Sequence, residues 1–198
     1  MNGNGLVDAV TFLIHALGGL YLLAVLLRFV LQLVRADFYN PLSQFIVRAT
    51  SPLLMPLRRV IPGFGGIDLA SLVLALLVQL ALILIILALD GGASWTLPLL
   101  LAWSLIGVTS LFLKIFFFAL IVSVILSWVA PGTHNPAAQL VHQICEPLLA
   151  PIRRFLPNLG GLDISPIFAF IALNLLDMLV IRNLAAMTHM PQILSPFM

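Results

Sequence analysis

The chain has little charge and almost no sulfur chemistry. Charged residues make up 8% of its 198 positions, against about 25% in an ordinary soluble domain. That is too little polar surface to coat a water-soluble particle, and the length leaves no room for a soluble catalytic domain beside the apolar part. A single cysteine, Cys145, excludes a disulfide framework and a thiolate metal cluster; its place on an amphipathic stretch suits packing rather than redox chemistry. Nine basic against seven acidic residues are too few for a nucleic-acid footprint. HExxH, GxSxG, P-loop and paired-Cys motifs are all missing. His15, His134, His142 and His189 are scattered over three regions, where solvated interfacial histidines are a simpler reading than a metal or haem site. The sequence points away from an enzyme: no catalytic residue, no metal and no cofactor is expected.

Apolar residues are what the chain has, at 62% with a mean hydropathy of +1.19. Crossing ~30 Å of hydrocarbon takes about 20 helical residues. Four stretches qualify: 6–34, 67–89, 97–129 and 162–181. The runs are apolar on all sides, which excludes the alternating pattern of a barrel. The first is too long for a signal-peptide core of about 7–15 residues and has no basic residues before it, so it is read as a retained span. The fold class is therefore all-α membrane with four transmembrane helices. Six of the nine basic residues (Arg35, Arg48, Arg58, Arg59, Arg153 and Arg154) lie in the two long connections. Positive connections stay in the cytoplasm, so both termini are expected on the other side. Trp95 and Trp103 would then lie near the outer interface and Trp128 near the inner one.

The chain repeats itself without a gap at an offset of 95. Asn40-Pro41 returns as Asn135-Pro136, Pro52-Leu53-Leu54 as Pro147-Leu148-Leu149, and Arg58-Arg59 as Arg153-Arg154. Gly65-Gly66 returns as Gly160-Gly161 and Asp68 as Asp163. Each unit, 1–95 and 96–198, reads span, connection, span, so the two units are parallel. The connections, 40–62 and 135–157, begin with an Asn N-cap and a Pro at the first helical position. An apolar stripe follows, Leu42, Phe45, Ile46 and Ala49 in one copy and Ala137, Leu140, Val141, Ile144 and Leu148 in the other. This predicts a short amphipathic helix in the interface plane, broken by the following prolines into a second turn that carries the arginines. Gly-Gly then turns the backbone, and Asp68 or Asp163 caps the next span.

The string P-L-L-x-P-[LI]-R-R-x-[IL]-P-x-x-G-G-[IL]-D, present at 52–68 and at 147–163, resembles the YggT family of small bacterial membrane proteins, called YlmG in other bacteria and in plastids. The family motif continues into Ser-Pro. The second copy keeps this as Asp163-Ile164-Ser165-Pro166, whereas the first has Asp68-Leu69-Ala70-Ser71. The resemblance implies a multi-pass protein of the bacterial inner membrane and a link to osmotic tolerance, cell division or envelope organisation.

Two sets of polar residues are candidates for function. Arg58, Arg59, Arg153 and Arg154 either enforce topology or bind lipid phosphate or an acidic partner, since guanidinium forks suit phosphate and the cytoplasmic leaflet is anionic. Within the spans, Lys114 and Asp177 fall at matched depths, ~22 and ~21 Å from the cytoplasmic ends at 1.5 Å per residue, and read as a neutralising pair or a functional one. Gln79 and Asn174 hold equivalent repeat positions near the midplane, ~16 Å in, and Arg28, ~9 Å in, is expected to snorkel to the cytoplasmic side. Ala119, Ser123 and Ser127 form a small-xxx-small ridge suited to close packing within the chain or between copies. The expected function is a non-enzymatic membrane accessory or scaffold whose Arg-rich connections contact lipid or partner proteins. The alternative is a small channel or transporter, for which the midplane offers few polar groups.

Overall fold

In a computed structural model, residues 5–91, 95–129, 135–156 and 163–194 are described. Apart from one isolated bridge between Phe64 and Ile67, every element among them is helical. The order is α1 (Gly5–Leu33), α2 (Pro41–Val60), α3 (Leu69–Leu89), α4 (Leu97–Val129), α5 (Pro136–Phe155) and α6 (Ser165–Leu176). A π-helical turn, Asp177–Ile181, joins α6 to α7 (Arg182–Met187). Four stretches are long and apolar enough to cross a membrane: α1, α3, α4 and the composite Ser165–Met187. The third matches the sequence expectation at both ends. The fourth runs past Ile181, because the π turn continues the helix.

α1 packs on α3 and α2, α4 on α3 and α5, and α6 on α4 and α5. One apolar core, with Leu26, Val30, Leu74, Leu111 and Leu120 at its centre, extends from the spans to Leu54 of α2 and Ile144 and Leu149 of α5. A smaller one at the opposite end gathers Ile83, Ile86, Leu100, Trp103, Ile106, Ile181 and Leu194. Trp103 lies in this second core rather than on the outward surface. Its ring is buried, and Nε1 donates to the Thr188 carbonyl at 3.2 Å. The outward surface of the spans is apolar, with Phe12, Leu17, Leu101, Leu105 and Ile171 exposed, as a lipid-facing surface requires.

The connecting helices start as their sequence dictates. Asn40 accepts the Leu42 N–H at 3.0 Å, Asn135 accepts that of Ala137 at 2.9 Å, and Pro follows each cap. They do not end where expected. Pro52 and Pro56 lie inside α2, and Pro147 and Pro151 inside α5, each helix continuing for 20 residues. The expected break is absent for a geometric reason. An interior proline removes one N–H and crowds the carbonyl four residues back. Arg48, Pro52 and Pro56, spaced by four, share the exposed face, so the released carbonyls face outward while the opposite face packs. That inner line is equivalent in both units: Ser43, Thr50 and Leu54 in α2, Ala138, Cys145 and Leu149 in α5. The apolar stripes, by contrast, are used differently. Leu42, Phe45 and Ala49 face outward, whereas Leu140 and Ile144 are buried.

The ridge on α4 is spent largely within the chain. Ala119 and Ser123 are buried, and Ser123 hydrogen-bonds the Cys145 thiol of α5. Ser127 is exposed, its hydroxyl donating to the Val124 carbonyl at 2.7 Å.

Candidate functional site

The repeated motif closes into a small, well-defined unit where α2 meets α3. After α2 the chain makes a two-residue turn: Phe64 and Ile67 exchange N–H···O bonds of 3.2 and 3.0 Å around Gly65 and Gly66. Both glycines have positive φ, +61° and +85°, the combination that a type I′ turn needs and side chains resist. The turn delivers Asp68 to the start of α3. Its carboxylate accepts the Ser71 N–H and hydroxyl, and pairs with Arg58 from the last turn of α2. Arg58 also donates to Gln32 of α1 at 3.2 Å. Burial pushes the Asp68 carboxyl up, but the Arg58 and Ser71 hydrogen bonds outweigh it and hold the group below its ordinary range.

The second unit has the same Arg–Asp pair with different neighbours. Arg153 Nε donates to Asp163 at 2.9 Å, and Asp163 accepts the Ser165 N–H at 2.9 Å. Arg153 Nη1 reaches both oxygens of Glu146, at 3.2 and 2.9 Å. Burial again works to raise Asp163, and Ser165 and Arg153 bring it below the usual value. For Arg153, burial opposes the charged form but Asp163 and Glu146 stabilise it, and the net shift is upward. Gly160 and Gly161 lie outside the described residues. Arg59 and Arg154, one residue beyond the paired arginines, are exposed. The two units touch through α2 and α5: Asn40 Nδ2 donates to the Pro136 carbonyl at 2.6 Å, and Gln143 Oε1 accepts the Asp37 N–H at 3.0 Å.

Arg28 reaches towards the connection, as a snorkelling side chain would, but ends buried beneath α2, where Nη1 donates to the Val47 carbonyl (2.9 Å), Thr50 Oγ1 (2.8 Å) and Ser51 Oγ (3.0 Å). The two hydroxyls at successive positions of α2 give the guanidinium an alternative to water. Beside it, a cavity of about 570 Å³ is lined by Arg28, Arg35 and Arg58 together with Gln32, Val47 and Gly66. Arg35 is a lining residue that the sequence motifs do not single out; its signal is position, two residues past the end of α1.

Within the spans, Lys114 and Asp177 do line one cavity, of about 170 Å³, together with Asn174. The ion pair, however, is Asp177–Arg182, at 3.0 Å. In a regular α-helix residues five apart do not share a face. The π turn changes this: the Arg182 N–H bonds the Asp177 carbonyl, and its side chain follows. The other Asp177 oxygen, Oδ1, is buried without a hydrogen-bond partner. Gln79 and Asn174, equivalent in the repeat, separate in space. Gln79 is buried against Gly107 of α4, while Asn174 is exposed and bonds back to the Phe170 carbonyl at 2.8 Å. No group of three or more His, Cys, Asp or Glu suited to a metal occurs among the described residues.

The family CCB3/YggT matches this chain twice, over residues 7–89 and 102–184, two stretches with the same offset as the sequence repeat. An uncharacterized protein of Pseudomonas aeruginosa is 73% identical across 98% of this chain and 99% of its own length. The Escherichia coli uncharacterized protein YggT is 38% identical across 92% of this chain and 95% of its own. A chloroplastic YlmG homolog of Arabidopsis thaliana is 44% identical over 32% of this chain and 25% of its own. No solved structure matches. The chain belongs to the CCB3/YggT family.

Proposed function

We propose that this CCB3/YggT chain is a non-enzymatic accessory protein of the bacterial inner membrane whose connection face, turned to the cytoplasm, contacts anionic lipid headgroups. One observation carries the reading: the same Arg–Asp lock is built twice, at the end of a proline-containing helix joined to its twin. The lock takes Arg58 and Arg153 and leaves Arg59 and Arg154 exposed beside them. A topology signal requires only positive charge. Two arginines fixed at one register in both units supply planar forks as well, which suit phosphate oxygens. Near an anionic leaflet each basic residue contributes about 1 kcal/mol. Osmotic tolerance, division and envelope organisation are the settings in which such a scaffold would act.

The test is a variant with lysine at Arg58, Arg59, Arg153 and Arg154. Charge and insertion are kept, and bidentate recognition is lost. The expected result is a folded protein that fails to support the cellular phenotype of the parent. Full support by the all-lysine chain would reduce the four arginines to a topology signal. The sidedness is checked separately: a reporter active only in the cytoplasm, fused after Met198, is expected to be silent.

A second reading, a small channel or transporter, draws on the charged cavity between α4 and α6, where Lys114, Asp177 and Arg182 meet at intramembrane depth; ionisable groups there commonly mark ion pathways. Ion-selective flux through liposomes holding only the purified chain would favour it over the scaffold.

A further inference from the structure

We infer that the cavity of the first unit is a binding site for one phosphate-bearing anion, with Arg28, Arg35 and Arg58 as its ligands, and that the second unit, whose sequence keeps only the last of these three arginines, does not share it. The inference rests on the lipid-contact reading above and narrows it to one place. Three independent features point there.

The first is uncompensated charge. Arg28 is buried, and its hydrogen-bond acceptors are a carbonyl and two hydroxyls, all neutral. A buried guanidinium without a counter-ion is costly, and the described lining of the cavity contains no acid. Asp68 acts on Arg28 only through space, its own hydrogen bonds going to Arg58 and Ser71. The cavity measures about 570 Å³, inside the range of about 300–1,000 Å³ usual for small-molecule sites. It lies at the C-terminal end of α1, where the apolar run gives way to Arg35 and Asp37.

The second is a backbone conformation that works against its own residue. α1 ends in a Schellman motif: the Ala36 N–H bonds the Leu31 carbonyl at 2.8 Å and the Arg35 N–H bonds that of Gln32 at 3.1 Å. The residue between, Arg35, has φ +53°. Glycine is the usual occupant of this position because a side chain there is strained. Strained positions persist where something else requires them. Here the side chain in question supplies the third cation of the cavity.

The third is the internal control that the repeat provides. At an offset of 95, Arg28 becomes Ser123, Gln32 becomes Ser127 and Arg35 becomes Ala130. Ser51, an acceptor for Arg28, becomes Glu146, which neutralises Arg153 from the side opposite Asp163. The second unit keeps the lock and loses the excess charge. The lock is kept in both units, and the excess charge is confined to the one with the cavity.

Three guanidinium groups around one cavity offer forks to several oxygens of one anion, which suits phosphate better than carboxylate. The anion is either a phospholipid headgroup or free phosphate, and two measurements on the purified full chain in neutral detergent separate them. Native mass spectrometry reads retention of phosphatidylglycerol against phosphatidylcholine; calorimetry reads inorganic phosphate. The informative variant is Arg35→Gly, which places the preferred residue at the helix end and should melt no lower than the parent. The control is Arg48→Gln, which removes one charge from the same connection outside the cavity. We expect Arg35→Gly to weaken anion binding at least fivefold and Arg48→Gln less than twofold. Loss confined to phosphatidylglycerol retention identifies the headgroup, and loss of phosphate heat identifies the free anion. Equal weakening by both variants would show diffuse surface charge and overturn the site while leaving lipid contact standing. An absence of both lipid selectivity and phosphate heat in the parent overturns it too. Selective loss in Arg35→Gly beside a fully functional all-lysine variant would uphold the site and sink the broader reading.

Discussion

Asn40 caps its own helix and holds the other unit at the same time. Its Oδ1 takes the Leu42 N–H and its Nδ2 donates to the Pro136 carbonyl, 2.6 Å away in the second unit. Its equivalent, Asn135, is exposed and, among the described residues, caps α5 without a bond to the first unit. Loss of an Asn cap costs about 1 kcal/mol, and a buried hydrogen bond contributes about as much again. Asn40→Ala should therefore destabilise by ~2 kcal/mol and Asn135→Ala by ~1. Reversible unfolding of the two variants in a denaturing detergent series checks this; equal losses would mean that the contact between units contributes nothing.

A second expectation concerns the charges at intramembrane depth. Asp177 bonds Arg182, whereas Lys114 lines the same cavity and acts on Asp177 through space. Removing Arg182 leaves a carboxylate with neither oxygen paired, so Arg182→Leu should cost about 1–3 kcal/mol, the penalty for an unsatisfied polar group. Lys114→Leu should cost less. Double-mutant cycles should give a larger coupling for Asp177 with Arg182 than with Lys114. The reverse order would restore the pairing expected from depth alone.

Acid should unlock both connections, and the sign follows from the direction of the shifts. Asp68 and Asp163 lie below their ordinary values in the fold, so ionisation favours the folded state. The stability they contribute is complete above the unfolded value, about 3.9, and is lost as pH falls through the depressed folded values. Melting curves of the parent and of Asp68→Asn should differ most near neutrality and begin to converge only as pH falls below about 4. A gap that narrows between neutrality and pH 5 and not below would show that the Asp68 charge is not its source.

Cys145 should be inert. Burial raises its thiol to about 11, the Ser123 hydrogen bond and Arg153 opposing only in part. The thiolate is the reactive form, so maleimide at pH 7 should label the folded chain at least tenfold more slowly than the chain unfolded in detergent. Comparable rates would mean that α5 is not seated on α4 as described.

Gly107 is held to its size by Gln79. A Cβ at 107 would lie 2.4 Å from Gln79 Nε2 and 3.0 Å from its Cδ. Gly107→Ala should cost about 1–3 kcal/mol as overpacking, and Gln79→Ala in the same chain should recover part of the loss. No recovery would indicate that α3 and α4 tolerate the added methyl by other means.

The spans were legible because 20 or more apolar residues in a row leave the backbone only one way to satisfy itself in lipid. The lock was legible too. Asp68 and Arg58, ten residues apart, stand out as the few charges around a Gly-Gly turn, and the repeat supplied the comparison. What stayed hidden depended on neighbours. The prolines of α2 and α5 read as breaks because local rules do not show which carbonyls will face outward. The acceptors of Arg28, Thr50 and Ser51, could not be assigned from sequence because they lie on another helix. Glu146, two turns before Arg153, became a visible partner only once α5 was known to be unbroken. The π turn at Asp177 carries no sequence mark, so Arg182 looked like a stray charge at the end of a span.

The unequal charge of the two units bears on stoichiometry. A chain holding one unit could assemble the same architecture only as a symmetric pair, and symmetry would give both halves the same lining. Such a pair would carry two basic cavities or none. Joining two units in one chain lifts that constraint: Arg28 and Arg35 on one side, Ser123 and Ala130 on the other, allow one cavity per molecule. A ligand counted against this chain should therefore titrate at one equivalent, with the second unit free to specialise in holding the first in place.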